Sequence, residues 1–319
     1  GFMAPRAYKL HVGIPAASAS SRGPQVDLII GLLSVPAAQP MRQRRRASWL
    51  SKALYTCPHF FEYRFILSIR ESFDGSILNE AKQYEDLLFV DAPVGFDFIS
   101  YKVKLFIDWA VDNFHFKYLL KADDDSTICL SSLCTELGVA DAVRPLYMGK
   151  FKFRNTVNLD PSQRQYNPRY LNETGRTTYL PYAGGAGYAI SFSLAEKLAS
   201  KMITSTSALP FRHFPREDAT FGLWMSGLTG SASRVESARR WLIAHPFPSA
   251  ASNSRTERYH PKLVEDSQLT SVLPRHCLHL QCGECTSGHT PKPGRRANAT
   301  KAGNPRFARS GVGRRTIDT

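Results

Sequence analysis

Three consecutive aspartates, Asp123, Asp124 and Asp125, end the apolar run Phe116 to Ala122, and no other stretch of this 319-residue chain is so suited to chemistry. At an effective dielectric near 20, two carboxylates about 6 Å apart repel by roughly 2–3 kcal/mol. Three of them against a buried edge therefore call for a neutralising cation. Hard oxygen ligands at the end of a strand suit Mg²⁺ or Mn²⁺ holding a phosphate better than Zn²⁺. Open α/β sheets also bind ligands beyond the carboxyl ends of their strands. On these residues alone, the alternative is a solvated acidic turn.

Three further groups stand out by spacing. Arg42, Arg46 and Trp49 fall at i, i+4 and i+7 and so share one helix face; in isolation they describe an ordinary basic surface helix. Between Tyr179 and Tyr188, Gly184, Gly185 and Gly187 lie within four positions. Such glycines let backbone approach a ligand or another segment, or mark a bulged strand or tight turn. Glu217 and Asp218 precede an apolar helical face of Phe221, Trp224, Met225 and Leu228, and taken alone they read as partners of a helix dipole.

The elements that must position these groups follow from periodicity. Val26–Leu33, Tyr63–Ile69, Asp86–Val90, Tyr118–Leu120 and Leu146–Phe153 read as strands. A helix is expected near Met41–Leu54, and a second from Ser100 to Phe114 with the stripe Val103, Phe106, Ile107, Ala110, Val111 and Phe114. A polar loop is expected from Phe153 to about Thr177, and Ser193 with Glu196 reads as a capping box opening a short helix. The alternation implies an α/β sheet of mainly parallel type. Residues 1–25 read as a flexible lead-in, 26–285 as one domain, and 286–319 as a basic disordered tail.

Composition limits the remaining choices. With 43% hydrophobic residues the chain can bury a large core, and no run approaches the ~20 apolar residues of a membrane span. Half of the net charge of +14 sits in the tail, where eight Lys and Arg face only Asp318. No RNA-binding aromatic motif or helix-turn-helix signature accompanies that charge, so no specific nucleic acid is expected, although a basic nucleic-acid-binding protein is the reading the tail would favour. Of six cysteines, Cys277, Cys282 and Cys285 with His276 and His279 leave open a zinc cluster, disulfides or free thiols. The sequons at Asn172 and Asn298 fit a secretory compartment.

In order and spacing, these segments resemble glycosyltransferase family 31, the inverting β-1,3-galactosyl- and N-acetylglucosaminyltransferases. The likeness is carried by the strand DLIIGLLSVP with Arg42-x3-Arg46-x2-Trp49, and by Tyr84-Glu-Asp-Leu-Leu-Phe, Lys102, Trp109 and Lys121-Ala-Asp-Asp-Asp125. It continues through Leu180-Pro-Tyr-Ala-Gly-Gly-Ala-Gly-Tyr188 and Glu217-Asp218-x3-Gly222, spanning roughly residues 26–265. KADDDS, LPYAGGAGYAIS and REDATFGLW resemble most the xylosylprotein β-1,3-galactosyltransferase branch, which builds the proteoglycan linker. Phe96 and Ala219 depart from the family's usual Tyr and Val, and the chain beyond Thr229 matches poorly.

The resemblance implies a GT-A fold: a Rossmann-like, mostly parallel sheet flanked by helices, in a single catalytic domain. It implies transfer of a hexose, galactose first, from a UDP-sugar to a glycan hydroxyl in a β-1,3 linkage with Mn²⁺ or Mg²⁺. N-acetylglucosamine or N-acetylgalactosamine are the alternative sugars. By the family pattern Asp218 is the catalytic base and Asp125 the principal metal ligand, with His260, rather than His245, completing the metal site. Arg42, Arg46 and Lys102 would face the nucleotide, with Asp123 towards ribose and uracil and Asp124 supporting metal or sugar. Strand alternation points Asp123 and Asp125 the same way. Tyr182, Gly184, Gly185 and Glu217 would lie on the acceptor side. The expected partners are UDP-galactose and a glycoprotein glycan. The expected location is the Golgi lumen, reached as a type II membrane protein whose anchor is not in this chain.

Overall fold

A computed structural model of the chain describes residues 23–51, 61–72, 74–140, 145–229, 234–236 and 242–243. Strand β1 (Leu28–Leu33) is buried at every position and leads into helix α1 (Gln39–Arg45). Then come β2 (Phe61–Ser68), α2 (Gly75–Tyr84), β3 (Leu87–Val90), α3 (Ile99–Asn113) and β4 (Tyr118–Asp123). After the short β5 (Thr127–Ile128), α4 (Leu130–Val139) and β6 (Tyr147–Lys152) follow, then α5 (Pro168–Thr174), β7 (Tyr182–Ser191), α6 (Phe192–Ala199) and α7 (Glu217–Thr229). β8 (Arg234–Glu236) and β9 (Leu242–Ile243) are the last described elements.

Seven strands form one sheet in the order β3-β2-β1-β4-β7-β6-β8, and only β7 runs against the rest. This is the mostly parallel, helix-flanked α/β sheet expected. The chain winds outward from β1 to β3 and then crosses back to β4 on β1's other side, so the strand order reverses between β1 and β4. Ligands in such sheets sit beyond the strand ends at that reversal. There β1 and β4 finish in register, Leu33 opposite Asp123.

Each face of the sheet has its own apolar layer. On one, α3, α6 and α7 contribute Phe106, Trp109, Leu194, Phe221 and Trp224. On the other, Trp49, Ile77, Leu133 and Leu137 cover β1, β2 and β4. The expected α3 stripe is buried as read, except that Val111 is only partly covered. Gly31 in β1 faces Phe106 so closely that an added Cβ would lie 2.3 Å from the ring, which explains a glycine in a central strand.

Several expectations needed correction. The helix expected over Met41–Leu54 begins at Gln39 and is not regular: α1 (to Arg45) passes into a π-turn (Arg46–Leu50) kinked at Ser48, and residues 52–54 lie outside the described residues. The interval between β2 and β3 holds α2, capped by Asp74, whose carboxylate accepts from Ser76 N. The loop after β6 contains α5, with Asn167 capping it, Pro168 at its first position and the left-handed Gly175 ending it. Ser193 is inside α6 rather than its cap; Ser191 holds that place and spends its hydroxyl on Leu146 N. Among the described residues no helix is long and apolar enough to cross a membrane. The lead-in 1–22, His245, His260, Cys57, Cys277, Cys282, Cys285 and the tail lie outside the described residues.

His213 packs where the segment before α7 meets the start of α3. Its ring stacks on Phe98 and tilts against Tyr101, with Nδ1 2.6 Å from Ser100 Oγ. Burial, with Arg169 nearby, lowers its pKa to about 4. Between that value and ~6.5 the unfolded chain holds the proton and the folded one does not, so stability falls as pH falls through the window. From pH 7 to pH 5 the loss should be about 2 kcal/mol. Urea titrations at both pH values should show that extra loss in the wild type and not in His213→Gln.

Candidate active site

The site begins with a buried lysine. Lys121 lies two residues before the aspartates on β4 and is 1% exposed. Its ammonium donates to Asp123 Oδ1 (2.8 Å), to the Gly185 carbonyl on β7 (2.5 Å) and to Glu217 Oε2 at the start of α7 (3.1 Å). Burial alone would lower the Lys121 pKa, but Asp123 and Glu217 outweigh it and hold the group above its usual range. Glu217 is raised by its own burial, against the pull of Lys121, and Asp218 beside it adds repulsion. Its other oxygen accepts from the Tyr188 hydroxyl at 2.5 Å.

Asp218 is next to it and less buried. Its Oδ1 accepts from Ala219 N (2.8 Å) and Arg216 Nε (3.2 Å). Oδ2 is 3.4 Å from Gly185 N and 3.7 Å from Lys152 Nζ. The two glycines make this closeness possible. A Cβ on Gly185 would stand 3.3 Å from Glu217 Oε2, and one on Gly184 would press on the Lys152 side chain. The acidic cluster on β4 and the acidic pair on α7 thus belong to one site, joined through β7.

A second set of bonds shapes the turn after β4. Asp124 is 1% exposed, and its carboxylate accepts from Ser34 Oγ at 2.6 Å. Ser34 in turn accepts from Arg42, whose guanidinium grips Glu80 through Nε and Nη2 (2.9 and 2.6 Å) and caps the Val35 and Pro36 carbonyls. Arg45 reaches the carbonyls of Asp124 and Asp125 and the Thr127 hydroxyl.

Several of the expected site residues are engaged within the protein. Arg42 is fully buried with every nitrogen bonded to protein, and Lys102 is bound to Glu71 (2.6 Å) and the Ser34 carbonyl. Through Ser34 both brace the turn that carries Asp124. Asp124 itself is buried, and Ser34 Oγ donates to its carboxylate. Glu217 and Tyr182 are buried, and the Tyr182 hydroxyl is taken by Arg216 and Asn155. Arg46 is different. It binds Asp86 and Glu80 beneath the Tyr84 ring, yet its Nη1 is buried with no hydrogen-bond partner, as is Trp49 Nε1. Asp123, Asp125, Gly185 and Asp218 are half-buried and Gly184 is buried. Among the described residues no three His, Cys, Asp or Glu side chains are grouped to hold a metal.

The sequence assigns no role to Lys121, Arg45, Arg216 or Ser34, although Lys121 and Arg216 lie within the motifs that carry the resemblance. A lysine two residues before an acidic cluster is a usable signal, since strand alternation puts Lys121 and Asp123 on one face. Arg45 gave none among its neighbours Arg44 and Arg46.

The acidic groups gather at the strand-order reversal, where open α/β sheets have their ligand crevice. Comparison with known proteins is more specific. The galactosyltransferase family model matches residues 40–234, and the chain belongs to that family. Hydroxyproline O-galactosyltransferase GALT2 of Arabidopsis thaliana is 24% identical over 220 residues, 69% of this chain and 31% of that protein. Beta-1,3-galactosyltransferase 6 of Mus musculus is 27% identical over 220 residues, 66% of this chain and 64% of that protein. UDP-GalNAc:beta-1,3-N-acetylgalactosaminyltransferase 2 of Xenopus laevis is 25% identical over 55% of this chain and 33% of that protein. The chain spans about a third of the length of the Arabidopsis hydroxyproline galactosyltransferases it matches. The crystal structure of S. aureus TarS 1-349 aligns over 54% of this chain and 48% of its own, at 12% identity and a TM-score of 0.30, too slight a likeness to bear on fold or function.

Replacing Arg42 by Ala should leave buried Glu80 with Arg46 as its one cationic partner among the described residues, deprive Ser34 of a donor, and lower stability by about 3 kcal/mol. Arg42→Lys should recover little of it, because an ammonium cannot make the two-pronged contact with Glu80. Urea denaturation of both variants reads this directly.

Proposed function

We propose that this chain carries the catalytic domain of an inverting transferase that moves galactose from UDP-galactose to a glycan hydroxyl in a β-1,3 linkage. The observation that carries the reading is the bridge from Asp123 through Lys121 and Gly185 to Glu217 and Asp218, within a chain of the galactosyltransferase family. Donor-side and acceptor-side carboxylates of one reaction have to lie this close. The names of the relatives support galactose as the sugar. N-acetylgalactosamine is the second reading, supported by the name of the Xenopus relative.

The residues present suit a divalent ion. Asp123 and Asp125 offer hard carboxylate oxygens, and the adjoining Ser126 hydroxyl is buried with no hydrogen-bond partner. Those two aspartates would hold Mn²⁺ or Mg²⁺, with His260 as the proposed further ligand. A bound ion there would offset the charge that develops on the departing diphosphate. Asp123, steadied by Lys121, borders the nucleotide, and Arg46 keeps a buried donor for it. Asp218 takes the proton of the acceptor hydroxyl as that oxygen attacks the anomeric carbon from the side opposite UDP, which inverts the centre.

We infer the Golgi lumen as the setting and a glycoprotein glycan, in the manner of the proteoglycan linker, as the acceptor. Two observations support a secretory compartment: Cys129 and Cys134 are both disulfide-bonded, and Asn172 of the first sequon is exposed on α5.

The test is transfer from UDP-galactose, UDP-N-acetylglucosamine and UDP-N-acetylgalactosamine to xyloside, galactoside and N-acetylglucosaminide acceptors, with and without Mn²⁺. UDP-galactose with Mn²⁺ should be the productive pair. Asp218→Asn should lower kcat by about 10²–10⁴ with donor KM nearly unchanged, whereas Asp125→Asn should raise donor KM and weaken the response to Mn²⁺. No turnover of any UDP-sugar in Mn²⁺ would sink the proposal.

A further inference from the structure

Arg216 has no place in the chemistry described so far, yet its geometry is unusual. It is the residue before Glu217, it is 6% exposed, and its φ is +74°. A left-handed backbone is disfavoured for a side chain of this size and persists only where its surroundings hold it. The holding is visible. The guanidinium lies over the rings of Tyr179 (5.1 Å) and Tyr182 (5.4 Å), and Nη2 donates to the Tyr182 hydroxyl at 2.5 Å. That hydroxyl also accepts from Asn155 at 2.5 Å. Tyr182 is set tightly against α7, since a Cβ on Gly222 would come within 2.4 Å of Tyr182 Cβ. The left-handed turn then aims Nε at Asp218 Oδ1 (3.2 Å).

The consequence is that the two oxygens of Asp218 are unequal. Oδ1 is occupied by Arg216 and by the amide of Ala219. Among the described residues Oδ2 has only the longer contacts, 3.4 Å to Gly185 N and 3.7 Å to the half-exposed Lys152 ammonium. We propose that Arg216 is a positioning residue, fixed by Tyr182 and Asn155, that locks the Asp218 carboxylate by Oδ1 and thereby presents Oδ2 as the atom that accepts the acceptor's proton. This rests on the function proposed above, and assigns within it which atom reacts and what aims it. In the step, the O–H proton moves to Oδ2, the O–H electron pair forms the new bond to the anomeric carbon, and the pair of the broken carbon–phosphate-oxygen bond leaves with UDP.

The test uses the full chain with UDP-galactose, Mn²⁺ and the best acceptor found in the panel. Arg216→Gln and Arg216→Gly should each lower kcat at least tenfold while donor KM stays within twofold. The glycine variant relieves the positive φ, so a cooperative unfolding transition is expected to persist, which separates loss of aim from loss of fold. Arg216→Lys should restore part of kcat, and Tyr182→Phe should lower kcat less than Arg216→Gln does. If both Arg216 variants keep kcat within twofold, or lose kcat and donor KM in step, the positioning role is overturned. If Asp218→Asn itself leaves transfer intact, the base assignment falls and this inference with it; an inactive Asp218→Asn beside fully active Arg216 variants removes this inference alone.

Discussion

One ammonium ion holds the site together. Lys121 is almost without solvent, and its three protons go to β4, β7 and α7, elements from different parts of the chain. A buried charge is tolerable only when its partners are well placed, and here the partners are themselves reactive-site groups. The cost of desolvating Lys121 is met by contacts that also set the distance between Asp123 and Glu217. The glycines of β7 belong to the same constraint, because a side chain at Gly185 would push into the Lys121–Glu217 contact.

The opposite wall is built by the same means. Glu80, Arg42, Ser34 and Asp124 form an unbroken buried chain from α2 to the turn after β4. Buried ion pairs are weak sources of net stability and are good at fixing geometry. Between these two braces, Asp123 and Asp125 stand at the strand end where strand order reverses, and Asp218 stands at the head of α7. The polar interior has therefore two jobs, holding the turn on one side and the helix start on the other, while the apolar layers keep the sheet between them.

Charged residues that stand out by spacing differ in how far the protein itself engages them. Arg42 and Arg46 share a helix face, yet one is saturated inside the protein and the other keeps a nitrogen unbonded. Periodicity cannot separate them, because it reports which face a residue is on and not what lies against that face. Tyr182 and Glu217 belong to segments that form the site, and both are buried.

The chain alone determined the alternation of strands and helices, the apolar stripe of α3, and the gathering of acids at the end of β4 and the head of α7, since these depend on local periodicity and on the cost of crowding like charges. It also carried the order of segments by which the family could be recognised. Helices α2 and α5 were passed over although Asp74 and Asn167 cap them, because their apolar faces are short and capping is a weak signal next to hydrophobic period. Only the tertiary structure decided that β7 runs antiparallel, that Lys121 bonds Glu217 96 positions away, and that Arg216 bonds Asp218. Those contacts depend on which segments the sheet brings side by side, and that is settled by packing of the whole core rather than by any one stretch of residues.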